Sequence, residues 1–241
     1  MATVPDELAD IDFAKTDEPA VADSLSVPLP VPLSSRPPVA PLVRFSVADV
    51  ELMIASGVFA DGRRCELIDG LIVERGMKGL THENIAEAIA DFLHELKTVD
   101  KQKHGRDRCR VRTESPLSLP AQASMPEPDI MLLAGDRDRY ADQRPEAADT
   151  LLVIEVADTT LAKDKRVAGI YAAAGVPRYL LVDVNARTLT LHEQPSADGY
   201  GEVRQMDTVP VVVGDDVLGE LTAATVFGES PTSEATEGPS A

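Results

Sequence analysis

The sequence predicts an α/β (α+β) domain: a mixed sheet flanked by helices, with additional antiparallel strands. Three observations carry this expectation. Arg64-Cys65-Glu66-Leu67-Ile68 and Leu71-Ile72-Val73-Glu74 flank Asp69-Gly70, a strong two-residue hairpin signal. An apolar strand at 151–156, a helical pattern at 164–174 and a second apolar strand at 179–184 form a crossover unit, which requires a parallel pair within the sheet. Composition adds the third: 44% of residues are hydrophobic but only 4% are aromatic and none is Trp, so Leu, Val, Ile and Ala must build the core.

The remaining elements follow from local chemistry. Ser46 is a suitable N-cap for a short helix with an apolar face at Val47, Val50, Leu52, Met53 and Ile54, closed by Gly57. Thr81 is read as the cap of a longer helix over 82–97, in which Ile85, Ala88, Ile89, Phe92, Leu93 and Leu96 recur at helical spacing. Residues 98–107 read as a polar connection, and alternating Cys109 and Val111, then Leu117 and Leu119, as extended chain. Strands are expected at 129–134 and 151–156. Gly175 and Pro177 stop the helix at 164–174 before the 179–184 strand. That strand pairs with 189–192 across Asn185-Ala186-Arg187, and short strands near 209–213 and 217–218 complete the domain, set at 42–228. The Pro-rich acidic segment 1–41 and the acidic segment 229–241 are expected to be disordered tails.

A formal net charge of −18 argues against nonspecific coating of nucleic acid, because Lys and Arg neutralising phosphates supply most of that affinity. It leaves room for a polyanion at a local basic patch or a metal-neutralised site. The densest basic group, Lys97, Lys101, Lys103, Arg106, Arg108 and Arg110, is read either as such a patch or as a solvated charge run. Cys65 and Cys109 show no metal-ligand spacing. No stretch has the apolar length of a membrane span and the N-terminus lacks a secretory pattern, so a cytoplasmic protein is expected.

Glu66, Asp129 and Glu155 lie at or near strands among apolar neighbours, where an unpaired carboxylate is costly. A shared divalent cation would relieve that cost, since Mg²⁺ prefers carboxylate oxygens. An arginine or a cluster of backbone N–H groups would serve equally.

Cys65-Glu66-Leu67-Ile68-Asp69-Gly70, His82 opening a helix, Pro126-Glu127-Pro128-Asp129-Ile130, Val153-Ile154-Glu155-Val156 and Tyr171 with Ala174-Gly175-Val176-Pro177 occur in that order. Together with Tyr179-Leu180-Leu181-Val182-Asp183 they resemble the Uma-type restriction endonuclease family of the PD-(D/E)XK nuclease superfamily, over about 45–192. The resemblance implies a restriction-endonuclease-like fold and a metal-dependent endonuclease, a hydrolase acting on DNA, using Mg²⁺ or Mn²⁺. It makes Asp129 and Glu155 the metal ligands, with the Val156 carbonyl and Glu66 as further members of the site. It also implies a possible homodimer, since superfamily members that cut both strands often pair. One departure stands out: Ala157 occupies the position where the superfamily usually carries a lysine, and Lys165, then Lys163, are the expected substitutes. The alternative is a catalytically degenerate nuclease-fold module that binds nucleic acid or another partner.

Several nearby residues have simpler readings. His82 either caps its helix, faces solvent or touches the site; Glu127 is expected to face solvent; Asp158 is read as a helix cap. Tyr171 and Tyr179 are expected to pack between helix and sheet.

Overall fold

Ser46 starts the first helix as its side chain predicts. Its Oγ accepts the Asp49 N–H at 3.2 Å while Asp49 Oδ2 accepts the Ser46 N–H at 2.8 Å, a reciprocal box that opens α1 (Val47–Ala55). The computed structural model describes residues 42–60, 62–158 and 161–228, without the side chains of 161–165. The segments 1–41 and 229–241, for which disorder is expected, lie outside the described residues.

The Asp69-Gly70 signal is realised as a hairpin of β1 (Cys65–Ile68) and β2 (Leu71–Glu74). Both turn residues have positive φ, 49° and 76°, as the mirror-image turn requires. Gly70 is also sterically compelled, because a Cβ there would lie 2.7 Å from the Arg44 Cβ. Arg166 on the third helix donates to Asp69 Oδ2 at 2.7 Å, so Asp69 both turns the hairpin and ties it down.

The second helix, α2 (Leu80–His104), differs from expectation at both ends. Gly79, rather than Thr81, is its N-cap, and residues 98–104 continue the helix instead of forming a connection. Asp100 explains the extension. Its carboxylate is buried and accepts the Arg108 Nε–H at 3.0 Å, which fixes the last turns against the following chain. Gly105 then ends the helix in the left-handed region, with Lys101, Lys103 and His104 beside the negative end of the dipole.

A six-stranded sheet follows, in the order β3 (Cys109–Thr113), β4 (Ile130–Ala134), β5 (Thr150–Ala157), β6 (Arg178–Asp183), β7 (Thr188–Ser196) and β8 (Gly199–Met206). Its β5–β6 pair is parallel, bridged by α3 (Leu161–Ala174), and its other pairs are antiparallel. Strand β8 has no counterpart in the sequence reading. Its exposed run Val203-Arg204-Gln205 and its two glycines blur the alternation, and pairing with β7 defines it. The antiparallel pair β9 (Thr208–Val213) and β10 (Asp216–Thr222) precedes a short α4 (Ala223–Phe227).

Alternation along the strands makes two cores. Leu152, Ile154 and Val156 join Ile85, Ile89 and Leu93 of α2, the β9 valines and Leu221 of β10 on one face. Val153 and Ala157 join Tyr171 of α3 and Tyr179 of β6 on the other, and the two rings pack at 5.4 Å as expected. Among the described residues, no helix is long and apolar enough to cross a membrane.

The 97–110 basic run is largely neutralised by its neighbours. Lys97 and Lys101 pair with Asp107, Lys103 and Arg108 with Asp216, and Arg108 also with Asp100. The Arg108 hydrogen bonds hold the Asp100 carboxyl below the ordinary range despite its burial. A carboxyl depressed on folding contributes stability above its unfolded pKa of about 4, and the contribution disappears as pH falls through the folded value. Asp100→Asn is therefore expected to lower Tm at pH 7, with the gap to wild type closing below about pH 4. Melting curves from pH 7 to pH 3 check this, and a constant gap would contradict it.

Candidate active site

Two prolines of fixed φ hold the chain extended on either side of Glu127, delivering Asp129 to the start of β4. Its carboxylate is almost fully buried, at 3% exposure. Lys78 Nζ donates to Oδ1 at 2.5 Å, with Arg75 Nη2 at 3.7 Å. Oδ2 accepts the Val156 N–H at 2.8 Å and lies 3.0 Å from His82 Nε2. Burial opposes ionisation, but the His82 hydrogen bond and the Lys78 charge outweigh it and hold the carboxyl well below the usual carboxylate range.

Glu155 projects from β5 on the face that carries Tyr171, one strand away from Asp129. The Asp129 N–H donates to Glu155 Oε2 at 3.3 Å, and the Tyr171 hydroxyl donates to Oε1 at 2.9 Å. Burial, reinforced by the Glu155 charge, raises Tyr171 far above the ordinary phenol range and keeps it a donor. Glu66, 4% exposed on β1, accepts the Glu127 N–H at 3.0 Å and faces Arg75 Nε at 3.6 Å. The three carboxylates proposed from sequence thus share one polar network at the β4–β5 end, linked through Arg75 and the backbone.

The Val156 N–H is engaged by Asp129, and in an extended strand the N–H and C=O of one residue face the same edge, so the Val156 carbonyl also points to the β4 side. Lys163 and Lys165 lie in α3, with side chains outside the described residues. Ala157 is buried against the second core.

Sequence reasoning missed three members of the network. Arg75 bridges Glu66, Glu127 and Asp129, and those carboxylates raise its pKa against the opposing effect of burial. Lys78 reaches Glu114 Oε1 as well as Asp129, both at 2.5 Å. Glu114 follows β3 with φ of 45°, a left-handed conformation rare outside glycine. Glu127 is also not the solvated residue expected, since Arg75 Nη1 donates to it at 2.9 Å. His82 is buried on Asp129 instead of capping α2. The available signal for Lys78 was a lysine between Gly76 and Gly79, four residues before His82.

Among the described residues no three His, Cys, Asp or Glu side chains converge into a ready-made metal cage. The donor chemistry nevertheless suits a hard divalent ion, which binds through one or two carboxylates, keeps several waters and takes phosphate oxygens from substrate. The Lys78 ammonium already occupies a cation position on Asp129. Beside it opens a cleft of about 540 Å³ lined by Arg63, Arg64, Arg75, Lys78, Glu83 and Glu114.

Tyr171→Phe deletes the donor to Glu155 and should cost about 1.5–3 kcal/mol, the range for a hydrogen bond to a charged group. Urea unfolding should show a lower midpoint with unchanged slope, and an unshifted midpoint would show the hydroxyl to be dispensable.

In comparison with known proteins, the family model described as Uma2, putative restriction endonuclease, matches residues 48–226. A crystal structure of a putative nuclease belonging to DUF820 from Anabaena variabilis ATCC 29413 aligns with a TM-score of 0.53. The two are 16% identical, with 69% of this chain and 90% of that chain covered, a likeness that speaks for the fold alone. No curated protein matches the chain. With most of the domain inside the family match, the chain belongs to the Uma2 restriction-endonuclease family.

Proposed function

We propose that this protein is a Mg²⁺- or Mn²⁺-dependent endonuclease acting on DNA. The observation that carries the reading is the meeting of Asp129 and Glu155 at adjacent strand ends, fixed by the Asp129 and Val156 N–H groups, beside a cleft with four cationic side chains. Family membership supports the reaction class.

In this reading Asp129 and Glu155 hold the ion, with Glu66 and the Val156 carbonyl as supports. When bound, the ion supplies a water of lowered pKa and neutralises charge on the scissile phosphate. Arg75 holds Glu66 and Glu127 in place, while Tyr171 fixes the rotamer of Glu155. Arg63 and Arg64, on the exposed side of the cleft, are placed to meet a phosphate backbone and offset the chain's net negative charge. With Ala157 at the usual lysine position, the steering cation must come from another element. Lys78 is the lysine in contact with the acidic network, whereas the Lys165 side chain lies outside the described residues.

Ala157 also favours a second reading, a nuclease-fold module that binds nucleic acid without cutting it. Titrating Mg²⁺ and Mn²⁺ into wild type, Asp129→Asn and Glu155→Gln while assaying nicking of supercoiled plasmid separates the two. Wild type should cleave only with the ion, and each variant should lose more than about 100-fold in rate. Metal-dependent stabilisation without cleavage by wild type would favour the binding module, and no response to either ion would end the metal reading.

A further inference from the structure

Lys78 carries a role beyond those expected of the strand carboxylates. Its ammonium bridges two carboxylates from different elements, Asp129 Oδ1 and Glu114 Oε1, each at 2.5 Å, and its side chain is only 13% exposed. Asp129 is buried, with Lys78 at 2.5 Å, His82 Nε2 at 3.0 Å and Arg75 Nη2 at 3.7 Å gathered around its carboxylate. Glu114 is more exposed, and its Oε2 also accepts from Arg64 Nη2 at 2.9 Å. Its φ of 45° is a second, independent observation: a β-edge residue is held in a costly conformation that presents its carboxylate to Lys78. The segment between β2 and α2 that bears Lys78 is free of regular structure, flanked by Gly76 and Gly79, with Met77 fully exposed.

The geometry points to Lys78 as a tethered countercation of the metal site. Without a divalent ion it neutralises Asp129. With Asp129 engaged in holding an ion, Lys78 would be left on Glu114, which would keep the ammonium at the rim of the cleft where the attacking water or the phosphate would be met. Ion binding and lysine placement are thereby one exchange. In this exchange Glu114 acts through Lys78, as its positioning residue. The inference rests on the metal-dependent reading above, and it makes Lys78 and the ion competitors for one oxygen.

Direct Mn²⁺ titration of the full-length protein without nucleic acid, by calorimetry and by loss of free Mn²⁺ paramagnetic signal, tests the exchange. Lys78→Gln should bind Mn²⁺ about tenfold more tightly than wild type, the equivalent of one charge-assisted hydrogen bond no longer displaced. Lys78→Arg, which retains the cation, should stay near wild-type affinity and shows that tightening follows loss of charge. Glu114→Gln should weaken Mn²⁺ binding in the wild-type background, where Lys78 falls back on Asp129, and leave affinity unchanged in Lys78→Gln. Unchanged or weaker binding in Lys78→Gln overturns the exchange while leaving the metal site standing. A Glu114→Gln loss that persists in Lys78→Gln acts independently of the lysine and equally overturns the positioning role. Absence of Mn²⁺ binding in every form removes the metal reading and the exchange together.

Discussion

The architecture around β4 and β5 depends on one constraint: the Asp129 carboxylate is ionised in a place that water hardly reaches. A buried charge left alone would cost several kcal/mol, so each element near it contributes compensation. Strand β5 supplies the Val156 N–H, α2 supplies His82, and the segment before α2 supplies Lys78. The position of the α2 N-terminus is thus set by more than its apolar stripe. Packing of Ile85, Ile89 and Leu93 on the sheet brings the helix to the correct face, and His82 registers its first turn against the strand end. The hairpin β1–β2 is recruited in the same way, through Arg75 and Glu66, and is held at its tip by Arg166 on Asp69.

Charge pairing also decides where the cations of a chain of net charge −18 gather. The 97–110 run, basic in sequence, is spent on Asp100, Asp107 and Asp216, where it secures the end of α2. The exposed pairs among these, such as Lys101–Asp107, add little stability each and create no surplus of positive potential. Arg63, Arg64, Arg75 and Lys78 gather instead around one opening, among carboxylates that they neutralise.

Much of the fold was legible because local and tertiary preferences agree. Asp69-Gly70, the Ser46 cap, and the 151–184 crossover each express a short-range rule that the final packing also satisfies. The failures are equally physical. Residues 98–104 look like a connection because they are polar, and they become helical once Asp100 finds Arg108 across the helix end. Strand β8 has no apolar alternation of its own and exists as the partner of β7. At the site, Glu66, Asp129 and Glu155 were visible because charged residues in apolar strands are conspicuous. Their cationic partners lay in irregular segments, where neither periodicity nor neighbouring composition distinguishes a buried lysine from a solvated one.

Glu114 shows why such partners matter. A non-glycine residue in the left-handed region costs about 1–2 kcal/mol, and nothing in the sequence near Thr113-Glu114-Ser115 asks for it. The surrounding structure imposes it: the Glu114 N–H bonds to the Asp129 carbonyl at 3.1 Å, while the Glu114 side chain holds the same lysine that caps the Asp129 carboxylate. Asp129 is therefore tied to Glu114 twice, once through the backbone and once through Lys78. A departure of Lys78 from Asp129 would leave the backbone tie in place, so the site can exchange one cation for another without releasing the strand end that positions its carboxylates.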